Sequence, residues 1–565
     1  MITNLRSVEV IKRKLNTSVE TPLLVIFQKL IMSNDNELRS TDCNSTNQDV
    51  TLTQSNLIGV STFVEILPPH PFPNLASATY ETADEASVND DDLQDSQPLH
   101  EDGDIEIGCH KTIPIKSDKK RKNSFLSMIT IVFKYIYSFI LLGFCITMVM
   151  GCIFTRQSTA KEFGIHPIGA FFLFWSLVFW LAMIEGGQGC VVGLHPVNKE
   201  KYAETHPITY MTTQLAHRGD NLERFIVGRQ FLVVLVIFLI NMCGSATKDA
   251  DPFGLPQLWN DIFLENGVAV IITTIVIGQL TSQVNAAICL LDFINNYLML
   301  FTTYLSLWIE FSGLLHCVYI VQIGFAALSG TRIESKEPPR GTMSKLLFCF
   351  RVLVSTAILG FCFAVTLQAL FDGNSGMWNG VPPWASVLIF ITFLCLTGLM
   401  DGMQIAAFAL MNVPEEELHQ HAVAYTNCQL MFTGKNLQSF LIGRQIFVAS
   451  LMFIVARIAS ISGPGDYRIF GANESLQSFY NTGLLGSVLL TIFGSLVWRI
   501  IASSYPMAFM SNPIIYVIIR MCLLVEGSGI CSASWGLASI HKRIVAYQPD
   551  EVYLDSSESC HEVNV

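Results

Sequence analysis

From residue 125 onward the chain alternates long apolar runs with short polar interruptions. About ten of the runs reach the roughly 20 residues that a ~30 Å hydrocarbon core requires of a helix. They lie at approximately 125–154, 168–194, 225–244, 265–290, 297–328, 345–370, 384–412, 440–461, 480–502 and 514–538. The expected fold class is therefore an all-α polytopic membrane protein of about ten transmembrane helices. Residues 1–124 are polar, rich in Ser, Thr, Asn and Asp and without helical periodicity, which predicts a disordered cytoplasmic tail. One stretch in it, PLLVIFQKLIM at 22–32, is too short to span and is interrupted by Gln28 and Lys29. No small-residue cleavage site follows it, so it reads as an interfacial helix or as sequence upstream of a true start at Met32.

Composition agrees with this pattern. Of 565 residues 51% are hydrophobic and only 14% charged, and the mean hydropathy is +0.44, too apolar for an ordinary soluble protein. The net charge of -12 reflects a local cluster, since ETADEASVNDDDLQDSQPLHEDGDIEIG at 81–108 holds many acids and no Lys or Arg. It carries no message about a cationic substrate. The 15 cysteines are scattered, mostly within apolar runs, without disulfide or zinc spacing. Lys116, Lys119, Lys120, Arg121 and Lys122 precede the first run and His541, Lys542 and Arg543 follow the last, which places both termini in the cytoplasm by the positive-inside rule. Arg332, Lys336, Arg340 and Lys345 fall between runs five and six, which ten simple crossings would put outside; a re-entrant or broken segment resolves the conflict.

The chain also matches itself. EGGQ at 185–188 recurs as DGMQ at 401–404, and QLAHRGDNLERFIVGRQ at 214–230 aligns with QLMFTGKNLQSFLIGRQ at 429–445. Further on, IEFSG at 309–313 aligns with VEGSG at 525–529, which brings Glu310 opposite Glu526. The pattern reads as two units of five spans, 125–328 and 345–540, joined by a linker at 329–344 and followed by a short cytoplasmic tail at 541–565. An odd number of spans per unit sets the copies in opposite orientations, the inverted-repeat plan of many secondary transporters, with the substrate site where the copies meet. The glycines of EGGQG are suited to a discontinuous helix there.

Charged and amide side chains in lipid are costly, Arg or Asp by roughly 2.5–3.5 kcal/mol, and those present usually face a partner or an aqueous path. The candidates are Glu185, Gln188, Arg229 and Gln230 in the first unit and Asp401, Gln404, Arg444 and Gln445 in the second. Glu185 and Gln188 are three apart and share a helix face. Arg229 is expected to pair with Glu185 and Arg444 with Asp401, leaving the glutamines for a ligand. An amide both donates and accepts without adding charge, which suits a small neutral polyhydroxylated solute. Glu310 with Ser312, and Glu526 with Ser528, are separate candidates for sodium or for a proton relay. A single Arg near a helix start is most often a snorkelling anchor. Two copies, each about 42 residues beyond an acid-Gly-x-Gln, favour a transport pathway instead. His195, His206, His217, His419 and His421 fall in connecting loops and are expected to be solvated, in no metal pattern.

Paired EGxQ and GRQ motifs, one pair per half of a ten-span chain, resemble the signature of the diatom silicon transporters. EGGQGCVVGLHPVNKEKYAETHP followed by HRGDNLERFIVGRQFLVV looks like a member of that family, over roughly residues 125–540. The resemblance implies uptake of silicic acid, uncharged near neutral pH, with sodium as coupling ion and no other cofactor. It carries the family motif onto Glu185, Gly186, Gln188, Gly228, Arg229 and Gln230, then onto Asp401, Gly402, Gln404, Gly443, Arg444 and Gln445. Asp401 departs from the pattern, which has Glu, and sets its charge back by a methylene. The tail after Ala546 lacks the heptads of a coiled coil, and homo-oligomerisation is left open. The partners implied are silicic acid, sodium and the lipid bilayer, with no nucleic acid, in the plasma membrane or alternatively an intracellular vesicle membrane. With no nucleotide loop, catalytic triad or metal motif, an enzyme is not expected. The alternatives are a passive channel for small neutral hydroxylated solutes and a membrane sensor or scaffold recruiting partners through the acidic tail.

Overall fold

The structure, a computed structural model, describes residues 123–329, 341–461 and 467–550 together with Tyr553, apart from Lys248, Asn379, Asn412, Pro414 and Lys435. The N-terminal tail, the Arg332, Lys336 and Arg340 cluster and most of the C-terminal tail lie outside the described residues.

The first half consists of α1 (Asn123–Phe154), α2 (Pro167–Gly193), α3 (Pro207–Ala216), α4 (Asn221–Gly244), α5 (Val268–Ala286), α6 (Leu290–Ile294), α7 (Tyr297–Phe311) and α8 (Val318–Ser329). The second consists of α9 (Thr342–Phe371), α10 (Pro383–Leu410), α11 (Ala422–Phe432), α12 (Asn436–Ala459), α13 (Leu484–Ser504), α14 (Pro506–Met510), α15 (Pro513–Ser528) and α16 (Ala533–Val545). Local chemistry explains the starts. Proline opens α2, α3, α10, α14 and α15, where its missing N–H is no loss. Asn296 and Asn512 cap α7 and α15 by accepting from Met299 N at 2.9 Å and Ile514 N at 3.0 Å.

Eight of these helices are long and apolar enough to cross a membrane unaided: α1, α2, α4, α5, α9, α10, α12 and α13. Runs five and ten are broken. α15 and α16 meet at 63°, and α7 and α8 are parted at the equivalent place, with Gly313 at φ +87° and Gly529 at φ +80°, a left-handed conformation that only glycine adopts freely. A serine from the other half satisfies the freed backbone of each break. Ser355 Oγ of α9 donates to Leu314 O at 2.6 Å and accepts from Cys317 N at 3.0 Å. Ser138 Oγ of α1 donates to Ile530 O at 2.6 Å and accepts from Ala533 N at 2.9 Å.

The break expected at EGGQG does not occur, because α2 continues through it. Its glycines instead receive side chains: a methyl at Gly186 would overlap the Phe293 ring, and one at Gly187 the Met299 thioether.

The hydrophobic windows of α4 and α5 are each 67% buried and those of α12 and α13 each 61%, against 11% for α9. The first four therefore form the centre of the bundle and α9 lies at its margin. Phe133, Ile140, Leu346 and Leu353, on α1 and α9, are exposed apolar side chains, the surface that lipid covers. Across the halves α12 and α13 pack on α4, α16 on α5, and α8 on α13.

Candidate functional site

α2 packs on α4 and α5, and α10 packs on α12 and α13. These contacts need close backbone approach, and glycine supplies it. A Cβ at Gly228 would overlap Ser306 O, and one at Gly443 would overlap Cys522 O, 216 positions on. Gly402 receives Phe509 as Gly186 receives Phe293. The GRQ glycines thus let α4 and α12 seat against α7 and α15. They fix the depth at which the next residue, an arginine, enters the bundle.

Arg229 lies more than two turns inside α4 and is only 2% exposed, so it is not a snorkelling anchor. Its guanidinium donates to Gln188 Oε1 and stands 3.6 Å from Glu185 Oε2. Glu185 also accepts from Gln283 Nε2 of α5 at 3.2 Å. In the second half Arg444 Nη1 donates to Asp401 Oδ1 at 3.1 Å, and Nη2 donates to Gln445 Oε1 at 3.0 Å. Asp401 Oδ2 accepts from Ser495 Oγ at 2.5 Å and from Arg499 Nη2 at 3.5 Å. Both expected acid–arginine pairs are formed. Not all four glutamines are left for a ligand, however, since Gln188 and Gln445 are held by the arginines.

Both constellations wall one cavity of about 210 Å³, many times the roughly 10–15 Å³ that a single water needs. It is lined by Glu185, Gly186, Gln188, Arg229 and Gln230 together with Asp401, Gln404, Arg444 and Gln445. Gly228, Gly402 and Gly443 stand behind this wall, at the helix crossings. Sequence reasoning missed Gln279, Gln283 and Gln438, which add three amides to the lining, as well as Arg499 on the wall and Ser495 behind Asp401. The signal was the repeat itself: Gln279 and Ser495 are 216 apart, as are Gln283 and Arg499, and each pair occupies equivalent places on α5 and α13. A π-helical turn precedes or includes these residues in both, at Thr274–Leu280 and Ile492–Leu496.

The second pair of candidates lies elsewhere. Glu310, at the end of α7, is buried and accepts from Tyr319 Oη at 2.9 Å, with His316 Nε2 at 3.9 Å. Ser312 Oγ is turned to Ile309 O. Glu526 is half-buried and Ser528 exposed, its hydroxyl donating to Val525 O. The two acids therefore sit in unlike surroundings despite matching positions.

His206 is not solvated as expected. It is buried, with Nε2 3.1 Å from Asp292 Oδ1 and the Tyr553 ring 4.5 Å away. It packs against a strap formed by the chain after α16. Asp550 accepts from Leu290 N at 2.8 Å and Leu291 N at 2.9 Å, and Gln548 N donates to Asp292 Oδ2 at 2.7 Å. Tyr547 lies against Phe293, the ring seated on Gly186, and Leu290 lines the cavity. Burial pushes the Asp550 carboxyl up to about 6, against the opposing pull of the two backbone donors.

No curated protein and no solved structure matches the chain. The family model described as silicon transporter matches residues 125–564, a stretch that includes every span and every motif described above. A multi-pass α-helical protein with this match belongs to the silicon transporter family.

Proposed function

We propose that the protein takes up silicic acid coupled to sodium by alternating access, with the acid-Gly-x-Gln and GRQ motifs lining the pathway. The observation that carries this reading is the convergence of both motif pairs, from helices 216 positions apart, on one amide-rich cavity. Among the described residues the buried Oε1 atoms of Gln230 and Gln279 accept no hydrogen bond, and the Nε atoms of Arg229 and Arg444 donate none. Such groups are expensive to bury unpaired. A solute with several hydroxyls offers hydrogens to the first and lone pairs to the second, and silicic acid offers both from four sides.

The repeat supports an inverted arrangement of two five-span units with both termini in the cytoplasm, rocking about the cavity. Sodium is assigned to Glu310, a buried carboxylate beside a helix break and outside the arginine-bearing cavity. An address in the plasma membrane fits uptake from outside. The decisive experiment is uptake of radiolabelled germanic acid, a chemical analogue, into proteoliposomes. Entry should require an inward sodium gradient and show trans-stimulation, and it should fall in Gln188→Ala and Gln404→Ala at unchanged expression. Glu310→Gln should remove the sodium dependence. Unsaturable entry indifferent to sodium would refute the coupled transporter.

A further inference from the structure

The two halves of the cavity place their acids and arginines at equivalent positions but differ in charge. In the first half one carboxylate, Glu185, stands with one guanidinium, Arg229, and the third group around it is a neutral amide, Gln283. In the second half the place of Gln283 is taken by Arg499, so the single carboxylate of Asp401 faces two guanidinium groups. Glu185 and Asp401 are the acids of the cavity lining and Arg229, Arg444 and Arg499 its bases, which leaves one positive charge in excess. Asp401 is 2% exposed and Arg444 6%, and the Arg499 side chain is 18% exposed, so the excess charge is partly buried and screened far less than a surface charge. Among the described residues Nε of Arg444 and Nε of Arg499 are buried donors with no acceptor.

We propose that the second half of the cavity binds a small monovalent inorganic anion between Arg444 and Arg499, opposite Asp401. Guanidinium groups are the side chains best suited to it, being always charged and carrying several donors. The charge-balanced first half, with Nε of Arg229 and the amides of the lining, remains for the neutral solute, and Nε of Arg444 goes to the anion when both are bound. A neutral hydroxylated molecule alone leaves the excess charge uncompensated, whereas an anion beside it completes both arginines. The anion has two sources, free halide or the ionised form of the substrate itself. The inference rests on the transport reading only in where the solute sits, since the charge excess stands without it.

The test begins with direct binding. Thermal unfolding of the purified full-length protein, in chloride or in gluconate at constant ionic strength, should show stabilisation by chloride that is lost in Arg499→Gln, the side chain of the other half, and retained in Arg499→Lys. In proteoliposomes at fixed sodium gradient, exchanging chloride for gluconate should lower germanic acid uptake by roughly 5-fold or more, the lower end of ordinary coupling between two ligands. Uptake indifferent to chloride but following the ionised fraction of the solute as pH is raised, and losing that dependence in Arg499→Gln, assigns the anion to the substrate. Robust uptake that responds to neither chloride nor ionisation, without chloride stabilisation, overturns the proposal and leaves the transporter reading standing. Chloride stabilisation without uptake under any condition would do the reverse.

Discussion

A guanidinium buried among apolar helices has to be answered by a carboxylate, and this pairing was legible in the chain because it occurs twice at one spacing. Glu185 with Arg229 and Asp401 with Arg444 follow from the repeat alone. Their third partners did not follow, because the repeat changes residue type there: glutamine at 283 but arginine at 499, glutamine at 279 but serine at 495. A pattern search by residue type misses such a site, and only positional equivalence finds it. Removing one member of a buried pair typically costs about 3–5 kcal/mol. Glu185→Gln and Arg229→Gln should accordingly each abolish uptake, while the swapped double variant, Glu185→Arg with Arg229→Glu, restores part of it relative to the single swaps. Additive loss in that cycle would mean that the pair does not act as a unit. Asp550 makes a second residue-scale case. Its carboxyl titrates near 6 in the docked strap and near 3.8 in a free chain. The docked form holds the extra proton between these values, so docking is strongest at low pH and weakens as pH rises toward 6. Asp292 and His206 face the same pocket, so Asp550→Asn is the control that isolates this carboxyl. Hydrogen exchange at Leu290 and Leu291, corrected for intrinsic rate, should speed up from pH 5 to pH 7 in the native protein and stay level in that variant.

Element lengths were the most legible property of the chain, since eight of ten apolar runs are single helices spanning much the same residues. What length could not reveal is which glycines break a helix and which serve a crossing. Gly186 and Gly187 look like a break and are contact surfaces, whereas Gly313 and Gly529, in less conspicuous surroundings, carry the positive φ that ends α7 and α15. The distinction depends on what approaches from outside the helix, information that lies some 100 residues away at Phe293 and Met299. Gly228 and Gly443 are crossings of the tightest kind, because backbone and not a flexible side chain occupies the space. Gly228→Ala and Gly443→Ala should each destabilise the fold by about 1–3 kcal/mol or more, the range for overpacking. The readout is a lower Tm and a lower yield of monodisperse protein; an unchanged Tm would show that α4 or α12 can shift without loss.

At the scale of the whole molecule the proposed inversion of the two halves can be checked without a ligand. Cysteine labelling from either side of the membrane should place the loops at 195–206 and 417–421 on opposite faces, and labelling from one face alone would refute the inversion. The serine contacts at the two broken runs have a further consequence, for biosynthesis. The backbone freed in the first half is satisfied by Ser355 of α9, and that in the second by Ser138 of α1. Each half thus lacks the serine that serves its own break. As the ribosome delivers the chain, the first five runs must wait in the bilayer, exposed to quality control, until α9 arrives. Each half produced alone should therefore be degraded, while the two halves produced together as separate polypeptides cut within 330–340 should find each other and accumulate.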